Sequence, residues 1–426
     1  MECVISLPTS QYPSPRCSIP AGAGKPSRRL LNSLSATSDP STAVRLVRKF
    51  VASSSKSSSL QALSFLISHS SPFSLHLYQF LSETSWFQFN SKLIASLISL
   101  LEDHHCSLDA LTLISQSTSV LRSPRDLSLF YCDLIDAFSG RGLKTQVLQS
   151  YARLKEIPFS GKRPYQSIIK GMCLMEMPEE AEEFLREMGS SGFKPSPFEF
   201  RLVFRAYGRA GAFAEMTRVL QSMEENGMAL DTLSANTVLS CYGDHGKLSE
   251  MVSWIQKIRE SGIGFSFRTV NSVLNSCPTI AMLTDDVLSL PLSIDALFRK
   301  VEESSPCSNE SLLLRELVDF PLLCSLLDWS DSEVKLDLHG LHLVSAYVII
   351  LQWMREIRSC LVAGKAVPLE FSIICGSGKH SRSRGESPVK KLVSVMMFQL
   401  KSPLKIDRKN VGKFVAKGKK VKDWLC

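Results

Sequence analysis

Two short segments near the end of the chain carry residue types suited to acid–base chemistry. Asp337 and His339 lie two residues apart on a short apolar run, so both side chains point to the same side of a strand end. A carboxylate beside an imidazole is a common arrangement for moving a proton. A second apolar run ends in a glycine-rich turn, and Lys379 and His380 follow that turn. These residues predict one polar site at the ends of two strands.

The elements that would position this site alternate between strands and helices. Apolar runs and periodicity predict, in chain order, a strand at 334–338, a helix at 343–361, a strand at 369–375, a helix at 387–400 and strands at 404–406 and 413–416. Such an alternation forms a small α/β layer. Functional groups in these layers collect at the carboxyl ends of strands, where Asp337 and Gly376 both lie.

The segment Leu336-Asp337-Leu338-His339-Gly340 and the Gly376-Ser377-Gly378 turn resemble the motifs of the small MutS-related (Smr) domain. The resemblance covers about residues 330–426 and implies a domain that binds or cuts nucleic acid. It also implies catalytic roles, in which Asp337 positions a water or a metal ion, His339 transfers a proton, and Lys379 and His380 stabilise the phosphate. No cofactor is certain, and a divalent metal ion stays open. The alternative is structural, with Asp337 capping the turn.

The positive charge of the chain is concentrated in its last fifty residues. Residues 377–426 contain fourteen Lys and Arg against three acids, whereas the whole chain has a net charge of only +8. Such a patch neutralises phosphates and gives sequence-independent affinity for nucleic acid. The candidate nucleic-acid-binding residues around the glycine turn are Gly376, Gly378, Arg382, Arg384, Lys390 and Lys391. The alternative is a solvated basic tail that keeps the chain soluble.

The middle of the chain repeats itself. Gly192, Gly227 and Gly262 are spaced by 35 residues, and an apolar residue precedes each glycine by four positions. Two short helices fit one such period, and one helix pair cannot bury its own apolar stripe. Stacked pairs can, so the spacing predicts an α-solenoid with a long inner surface.

The 35-residue period and the Glu187-Met188-x-x-x-Gly192-x-Lys194-Pro195 segment resemble the plant pentatricopeptide repeat. The tetratricopeptide repeat is the nearest alternative, but its characteristic Trp-Leu-Gly-Tyr pattern is missing. The resemblance implies repeats at 162–196, 197–231 and 232–266, with a degenerate unit near 128–161 and a partial one from 267.

In that family, one side chain near the start of each first helix and one at the repeat end contact one RNA base. Carried over by position, the first-helix candidates are Gln166, Arg201, Asn236 and Asn271, and the repeat-end candidates are Ser196, Asp231 and Ser266. The partner that this implies is single-stranded RNA, with DNA as a second partner for the Smr-like domain. The alternative is that these residues are only exposed polar groups on helix starts.

Composition argues against several kinds of structure and completes the predicted domain organisation. Twelve cysteines without a C-x-x-C pair favour neither a disulfide framework nor a zinc site. The longest uncharged apolar stretch, 340–354, is shorter than a bilayer requires, so no membrane span is predicted. The predicted organisation is a disordered transit peptide at 1–50, a helical region of degenerate repeats at 51–127, a repeat array at 128–277, a cap and linker at 278–330 and the Smr-like domain at 331–426.

The first fifty residues are rich in Ser, Pro and Ala, with several Arg and Lys and only two acids. This balance is typical of organellar transit peptides, and we expect a chloroplast address, with the mitochondrion as the alternative. The sequence thus predicts an organellar RNA-binding protein in RNA processing or expression. Its repeats would select a transcript that the Smr-like domain binds or cuts as an endonuclease. The alternative is a non-catalytic adaptor that docks on nucleic acid or a protein partner.

Overall fold

A computed structural model describes residues 24–37, 39–157, 161–304, 309–318, 327–376 and 387–426. The chain divides into two compact units, Met1–Ala206 and Tyr207–Cys426. Each unit contains helices joined by short turns, and the second also contains a small β-sheet.

The described part of the first unit is helical. Its helices are α1 (Lys25–Ser35), α2 (Pro40–Ser53), α3 (Lys56–Ser68), α4 (Ser74–Ser82), α5 (Ser91–Asp103), α6 (Ser107–Val120), α7 (Pro124–Ser139), α8 (Lys144–Lys155), α9 (Arg163–Leu174), α10 (Pro178–Ser190) and α11 (Pro197–Arg209), which continues into the second unit. Proline stands in the first turn of α7, α9 and α10, where its missing N–H is no loss. Helix α7 packs against both α8 and α9. Residues 51–127 are largely helical, and their assignment as degenerate repeats stays a prediction.

The start of the chain differs from the sequence-based expectation. Residues 25–35 and 40–53 form α1 and α2, although disorder was predicted up to residue 50. The prediction was wrong there because it relied on composition. Leu30 and Leu34, like Ala43 and Val47, are spaced by four residues and are buried, which gives each helix an apolar side to pack. Residues 1–23, the remainder of the predicted transit peptide, lie outside the described residues.

The second unit begins with helical repeats. After the end of α11 come α12 (Phe213–Glu225), α13 (Thr232–Asp244), α14 (Leu248–Glu260), α15 (Phe267–Asn275), α16 (Pro278–Asp285), α17 (Ile294–Ser304) and α18 (Asn309–Val318). The glycines that mark the sequence period end the second helix of a repeat. Gly227 and Gly262 have φ of +76° and +68°, a left-handed conformation that turns the chain out of the helix at no steric cost to glycine.

A five-stranded sheet follows. The elements are β1 (Leu327–Trp329), β2 (Glu333–Asp337), α19 (Leu343–Val362), β3 (Glu370–Ile374), α20 (Pro388–Gln399), β4 (Lys405–Ile406), β5 (Lys413–Lys417) and α21 (Gly418–Leu425). The strand order is β1-β2-β3-β5-β4, with β2 parallel to β3 and all other pairs antiparallel. We call residues 327–376 and 387–426 the terminal sheet region. Its edge strands, β1 and β4, are only three and two residues long.

One face of the sheet forms the core of this region. Val334, Leu336, Phe371, Ile373, Phe414 and Ala416 alternate along three strands and are buried, as expected for a sheet with one covered face. Trp353 of α19 packs edge-on against Phe371, with ring centroids 6.3 Å apart. The strands and helices predicted from 334 onward are confirmed to within one or two residues. Two elements were missed, the short strand β1 and the lysine-rich helix α21.

Helices α15 to α18 pack directly against the terminal sheet region. The Tyr347 hydroxyl on α19 donates to the Pro291 carbonyl at 2.7 Å, and Gln352 Nε2 donates to the Val318 carbonyl at 2.7 Å. Helix α19 also contacts α15, α16 and α17. The described part of the segment 278–330 is therefore largely helical and packed, and where the predicted cap gives way to the predicted linker stays a prediction. Its loss of the 35-residue period concealed three amphipathic helices.

Candidate nucleic-acid interface

The loop after β2 brings Asp337 and His339 together. The His339 main-chain N–H donates to Asp337 Oδ1 at 2.9 Å, and His339 Nδ1 lies 3.8 Å from the same oxygen. Both side chains are solvent-accessible, with exposed fractions of 44% for Asp337 and 71% for His339. The carboxylate thus caps the turn and also stands beside an accessible imidazole. Both interpretations made from the sequence are compatible with this geometry.

The loop after β3 meets the same site. Asp337 and Ile374 are register partners in the parallel pair of strands, and Leu338 N donates to the Ile374 carbonyl at 2.9 Å. Gly376 has a φ of +75°, and a Cβ atom at this position would lie 3.2 Å from His339 Cε1. Gly376 therefore lies against the imidazole, as expected for two adjacent parallel strand ends. The other turn residues predicted for the site, Gly378, Lys379, His380, Arg382 and Arg384, lie outside the described residues.

Two basic candidates lie at the start of α20. Lys391 is exposed and Lys390 is half-buried.

Cys375 lies near the same helix start. Burial raises the pKa of its thiol to about 12, although the positive charge of Lys390 opposes this shift. The thiol therefore stays protonated near neutral pH and is unsuited to act as a nucleophile.

The sheet face opposite the apolar core carries charged side chains. Lys413 Nζ lies 2.9 Å from Glu333 Oε1 and 3.2 Å from Glu370 Oε1, and it joins three neighbouring strands. The Ser372 hydroxyl also donates to Glu333, and these hydrogen bonds hold the pKa of Glu333 below its usual value. Lys413 thus forms ion pairs with two carboxylates and links three strands of the sheet.

In the first unit, the candidates Gln166 and Ser196 share a buried carboxylate. Gln166 Nε2 donates to Glu199 Oε1 at 2.8 Å, and Ser196 N donates to Glu199 Oε2 at 2.7 Å. The Ser196 hydroxyl donates to the same oxygen. Burial raises the pKa of Glu199, but the hydrogen bonds from Ser196 and Gln166 outweigh it and lower the pKa below the usual value. The sequence placed Gln166 and Ser196 together correctly but missed the carboxylate between them.

Two further candidates fall on either side of the unit boundary. Arg201 lies on α11 in the first unit and is half-buried. Asp231 lies in the second unit as the N-cap of α13, where its carboxylate accepts from Ser234 N at 2.7 Å. This helix-capping role explains the residue type at position 231.

In the second unit, Asn236 and Ser266 form the predicted pair. Asn236 Nδ2 donates to Ser266 Oγ at 3.1 Å, and its Oδ1 accepts from Thr269 Oγ1 at 2.7 Å. Ser266 is the N-cap of α15 and forms a capping box with Thr269. A primary amide has two donor hydrogens and two acceptor lone pairs. The bonds to Ser266 and Thr269 use one of each, so one donor and one acceptor stay unused on a side chain that is 8% exposed.

Asn271 has a different environment, although it occupies the equivalent position 35 residues later. Its Nδ2 donates to the Gly340 carbonyl at 2.8 Å, and its Oδ1 accepts from the His342 N–H at 2.9 Å. Asn275, one turn further along α15, places its Nδ2 2.5 Å from His342 Nδ1. The last repeat helix is therefore bound to the loop that carries Asp337 and His339, a contact that sequence spacing did not predict.

Another repeated position was missed. Three residues before each first-helix candidate, and so about one helical turn away on the same side, stand Arg163, Phe198, Leu233 and Arg268. Phe198 and Leu233 are 48% and 45% exposed, and Arg268 is also exposed. The recurrence at a spacing of 35 residues could have identified this position, because a flat or apolar side chain beside a polar one suits stacking on a base.

The described residues contain neither a cluster of metal-binding side chains nor a membrane-spanning helix. In the described part of the chain, no group of three or more His, Cys, Asp or Glu side chains is arranged to hold a metal ion. None of the described helices combines the length and apolar character that a bilayer crossing needs.

Comparison with known proteins places the chain among helical-repeat proteins. Residues 166–287 match a family model described as a pentatricopeptide repeat-containing protein. Solved structures with some similarity include the pentatricopeptide repeat protein PPR10 from maize, with 13% identity, a TM-score of 0.47 and coverage of 86% of this chain and 49% of that one. The same protein in complex with an 18-nt psaJ RNA element gives 14% identity, a TM-score of 0.38 and coverage of 89% and 57%. The chain thus spans about half the length of these maize structures.

A curated relative gives the strongest evidence. A pentatricopeptide repeat-containing protein of Arabidopsis thaliana is 44% identical over 415 residues, which cover 93% of this chain and 81% of that protein. Identity at this level over nearly the whole length, together with the 35-residue period and its left-handed glycine turns, defines the family. The chain belongs to the pentatricopeptide repeat protein family.

Proposed function

We propose that this protein binds single-stranded RNA through its repeats and acts in organellar RNA processing or expression. The observation that carries the proposal is the group formed by Asn236, Ser266 and Leu233 in the second unit. The Asn236 amide is 8% exposed and keeps one unused donor and one unused acceptor, and it stands one turn from Leu233, which is 45% exposed. This combination can hydrogen-bond the edge of a base and stack on its face.

Equivalent groups support the same role elsewhere. In the first unit, Gln166 and Arg163 occupy the corresponding positions on α9. Arg163 bonds to Asp133 and Asp136, which fixes its guanidinium, and a guanidinium plane can stack on a base. The maize protein PPR10 has been crystallised with an RNA element. We extend RNA binding from that protein to this chain as part of the proposal.

The terminal sheet region would be an Smr-type domain that binds or cuts the RNA. Its support is the order β2-α19-β3-α20, which places the Asp337 and Gly376 loops at neighbouring parallel strand ends. The acid and the imidazole stand 3.8 Å apart in an accessible position. With a phosphodiester bound there, His339 would move a proton and Asp337 would orient its ring or a water.

RNA binding is tested by crosslinking the protein to RNA in its own organelle and sequencing the attached RNA. The sites found are then synthesised and bound to the purified full chain. Replacing Asn236 by Val, a smaller apolar side chain without the amide, should weaken binding about tenfold, because a lost polar contact is worth roughly 1–2 kcal/mol. The matched control is Thr237→Val, the next residue on the same helix. Equal affinity of the Asn236→Val variant and the wild type would refute base contact at this position.

Cleavage is tested separately with the double variant Asp337→Ala, His339→Ala. New 5′ ends in bound RNA should appear with the wild type and vanish with the double variant, whereas affinity should stay within about twofold because both side chains contribute little to the basic surface. The adaptor hypothesis is favoured if the wild type binds tightly and no new ends form.

Chloroplast location, with the mitochondrion as the alternative, is tested by imaging a fluorescent fusion to the first fifty residues.

A further inference from the structure

Asn271 stands where a base-contacting residue is expected, but a loop of the same chain occupies its hydrogen-bonding edge. Its amide donates to the Gly340 carbonyl at 2.8 Å and accepts from the His342 N–H at 2.9 Å. This paired donor and acceptor arrangement is the one by which an asparagine binds the edge of a base. The loop therefore takes the place of a base at Asn271.

The loop is fixed to α15 by more than this pair of bonds. Asn275 contacts the His342 ring, and Gly340 has a φ of +80°, which turns the chain sharply after His339. Helix α19, which begins one residue after His342, packs against α15, α16 and α17. The loop from Asp337 to His342 is therefore supported by α15, the last repeat helix.

The neighbouring base position is close to this support. Asn236 contacts Thr269, and Thr269 lies two residues before Asn271 on α15. Pentatricopeptide-type repeats bind about one base per repeat, so a strand held at Asn236 would meet the loop at its next step. Asp337 and His339 lie in that loop and remain accessible.

We propose that Asn271 is a positioning residue: it clamps the Asp337–His342 loop in the place of a base and so ends the RNA track of the repeats beside Asp337 and His339. The nucleotide that reaches these two side chains is then set by the register of the strand on Asn236. This inference rests on the proposed RNA binding, but it does not require that the RNA be cut.

The test uses photocrosslinking with the full chain and a pool of random-sequence single-stranded RNA that has been selected on the wild type. Benzoylphenylalanine replaces Leu233 in one protein and His339 in another, and sequencing identifies the crosslinked nucleotide in each. We expect the two crosslinks to fall about one to two nucleotides apart, because one repeat step separates Asn236 from Asn271. Replacing His339 also removes the candidate proton-transfer group, so the RNA stays intact.

The same pair of proteins is then made with Asn271→Leu, which keeps the side-chain volume but removes both hydrogen bonds. The crosslink at position 233 should keep its yield, and the crosslink at position 339 should spread over several nucleotides. Hydrogen exchange at the His342 amide should become about tenfold faster because its acceptor is lost. The control is Ser272→Ala, the adjacent residue on α15, which should leave both crosslinks unchanged.

Several results would overturn this inference. A crosslink at 233 without one at 339, a separation of many nucleotides, or an unaltered 339 pattern in a folded Asn271→Leu variant would each do so while RNA binding stands. The absence of both crosslinks would instead refute the proposed RNA binding. If Asn271→Leu does not fold, Asn271→Asp replaces it: this variant keeps the acceptor for the His342 N–H but loses the donor to the Gly340 carbonyl, and it should spread the crosslink at position 339 in the same way.

Discussion

At the scale of single residues, equivalent positions along the repeats have taken different partners. Gln166 bonds to the buried Glu199, Asn236 bonds to two short hydroxyl side chains, and Asn271 bonds to a main-chain loop. Of these three groups, that of Asn236 keeps an unused donor and an unused acceptor beside the exposed Leu233 side chain, and no carboxylate bonds to its amide. We therefore expect base discrimination to be strongest at this position and weaker at Gln166, where Glu199 competes for the amide.

The first prediction concerns Glu199. Replacing it by Gln should lower the free energy of unfolding by about 1–3 kcal/mol at pH 7, because a buried charged acceptor of hydrogen bonds from Ser196 and Gln166 is lost. The pKa of Glu199 is lowered in the folded protein from its ordinary value of 4.5. Its stabilisation is therefore fully present above about pH 4.5 and is lost as the pH falls through the lower folded-state pKa.

The measurement is chemical denaturation of the wild type and Glu199→Gln at pH 7 and at several values below pH 4.5. The difference between them should shrink as the pH falls. Glu183→Gln on α10 is the matched control, since Glu183 is exposed and its replacement should leave stability within about 0.5 kcal/mol. A difference that stays constant across this range would show that the Glu199 carboxylate does not carry the stabilisation.

How well the sequence predicts a contact in the site depends on how many residues separate the two partners along the chain. Asp337, His339 and Gly376 were placed together because adjacent parallel strands end at one edge, a rule that needs only local patterns. Glu199 was missed because an acidic residue in the first turn of a helix is ordinary, and its burial depends on contact with Gln166 of the preceding repeat. The contact between Asn271 and Gly340 joins residues 69 positions apart, and no periodicity in the sequence encodes it.

At the scale of elements, local pattern was sufficient for long apolar segments and insufficient for short or highly charged ones. Helix α19 and strands β2, β3 and β5 follow clear apolar runs and were predicted closely. Strand β1 has three residues, too few for a period to appear. Helix α21 is a charge run by composition, yet Val421 is fully buried and the Trp424 indole N–H donates to the Leu400 carbonyl at 2.9 Å.

The second prediction concerns the close approach of helices α11 and α13. A Cβ atom on Gly208 would lie 2.5 Å from Cys241 Sγ and 2.7 Å from both Cys241 Cβ and Met216 Sδ. Gly208→Ala should therefore destabilise the protein by about 1–3 kcal/mol, because the Cβ of Cys241 cannot move without the helix. Thermal or chemical unfolding measures the change.

A second glycine provides the control for helix propensity. Gly189 lies in α10, and a Cβ there would have no heavy atom within 4 Å. Gly189→Ala should stabilise the protein by up to about 1 kcal/mol, since alanine is the better helix former. If both variants shift stability in the same direction, steric contact is not what selects glycine at position 208.

At the scale of the whole molecule, charge is divided unevenly along the chain. Residues 377–426 carry fourteen basic residues against three acids, and the rest of the chain is slightly acidic in sum. Among the described residues of this segment, Lys419, Lys420 and Lys422 are exposed on α21, whereas Lys413 is held by Glu333 and Glu370. Non-specific attraction of RNA should therefore come largely from the end of the chain.

The third prediction follows from this division. Replacing Lys419, Lys420 and Lys422 by Gln should weaken RNA binding and lower the slope of log affinity against log salt by up to about 2, at about 0.7 per lost phosphate contact on a single strand. Binding is measured in a salt titration with one RNA. The control replaces Lys144, Lys155 and Lys300, three exposed lysines in helices outside the terminal sheet region. Equal slopes for the two triple variants would place the RNA-binding charge elsewhere.

The short edges of the sheet affect how the protein behaves in concentrated solution. Strands β1 and β4 offer only three and two residues of outer main chain, and β4 includes an exposed lysine. A neighbouring molecule finds few free N–H and C=O groups there, and a charge opposes its approach. Native copies should therefore resist strand-to-strand aggregation, even though α21, a strongly basic helix with exposed lysines, directly follows β5.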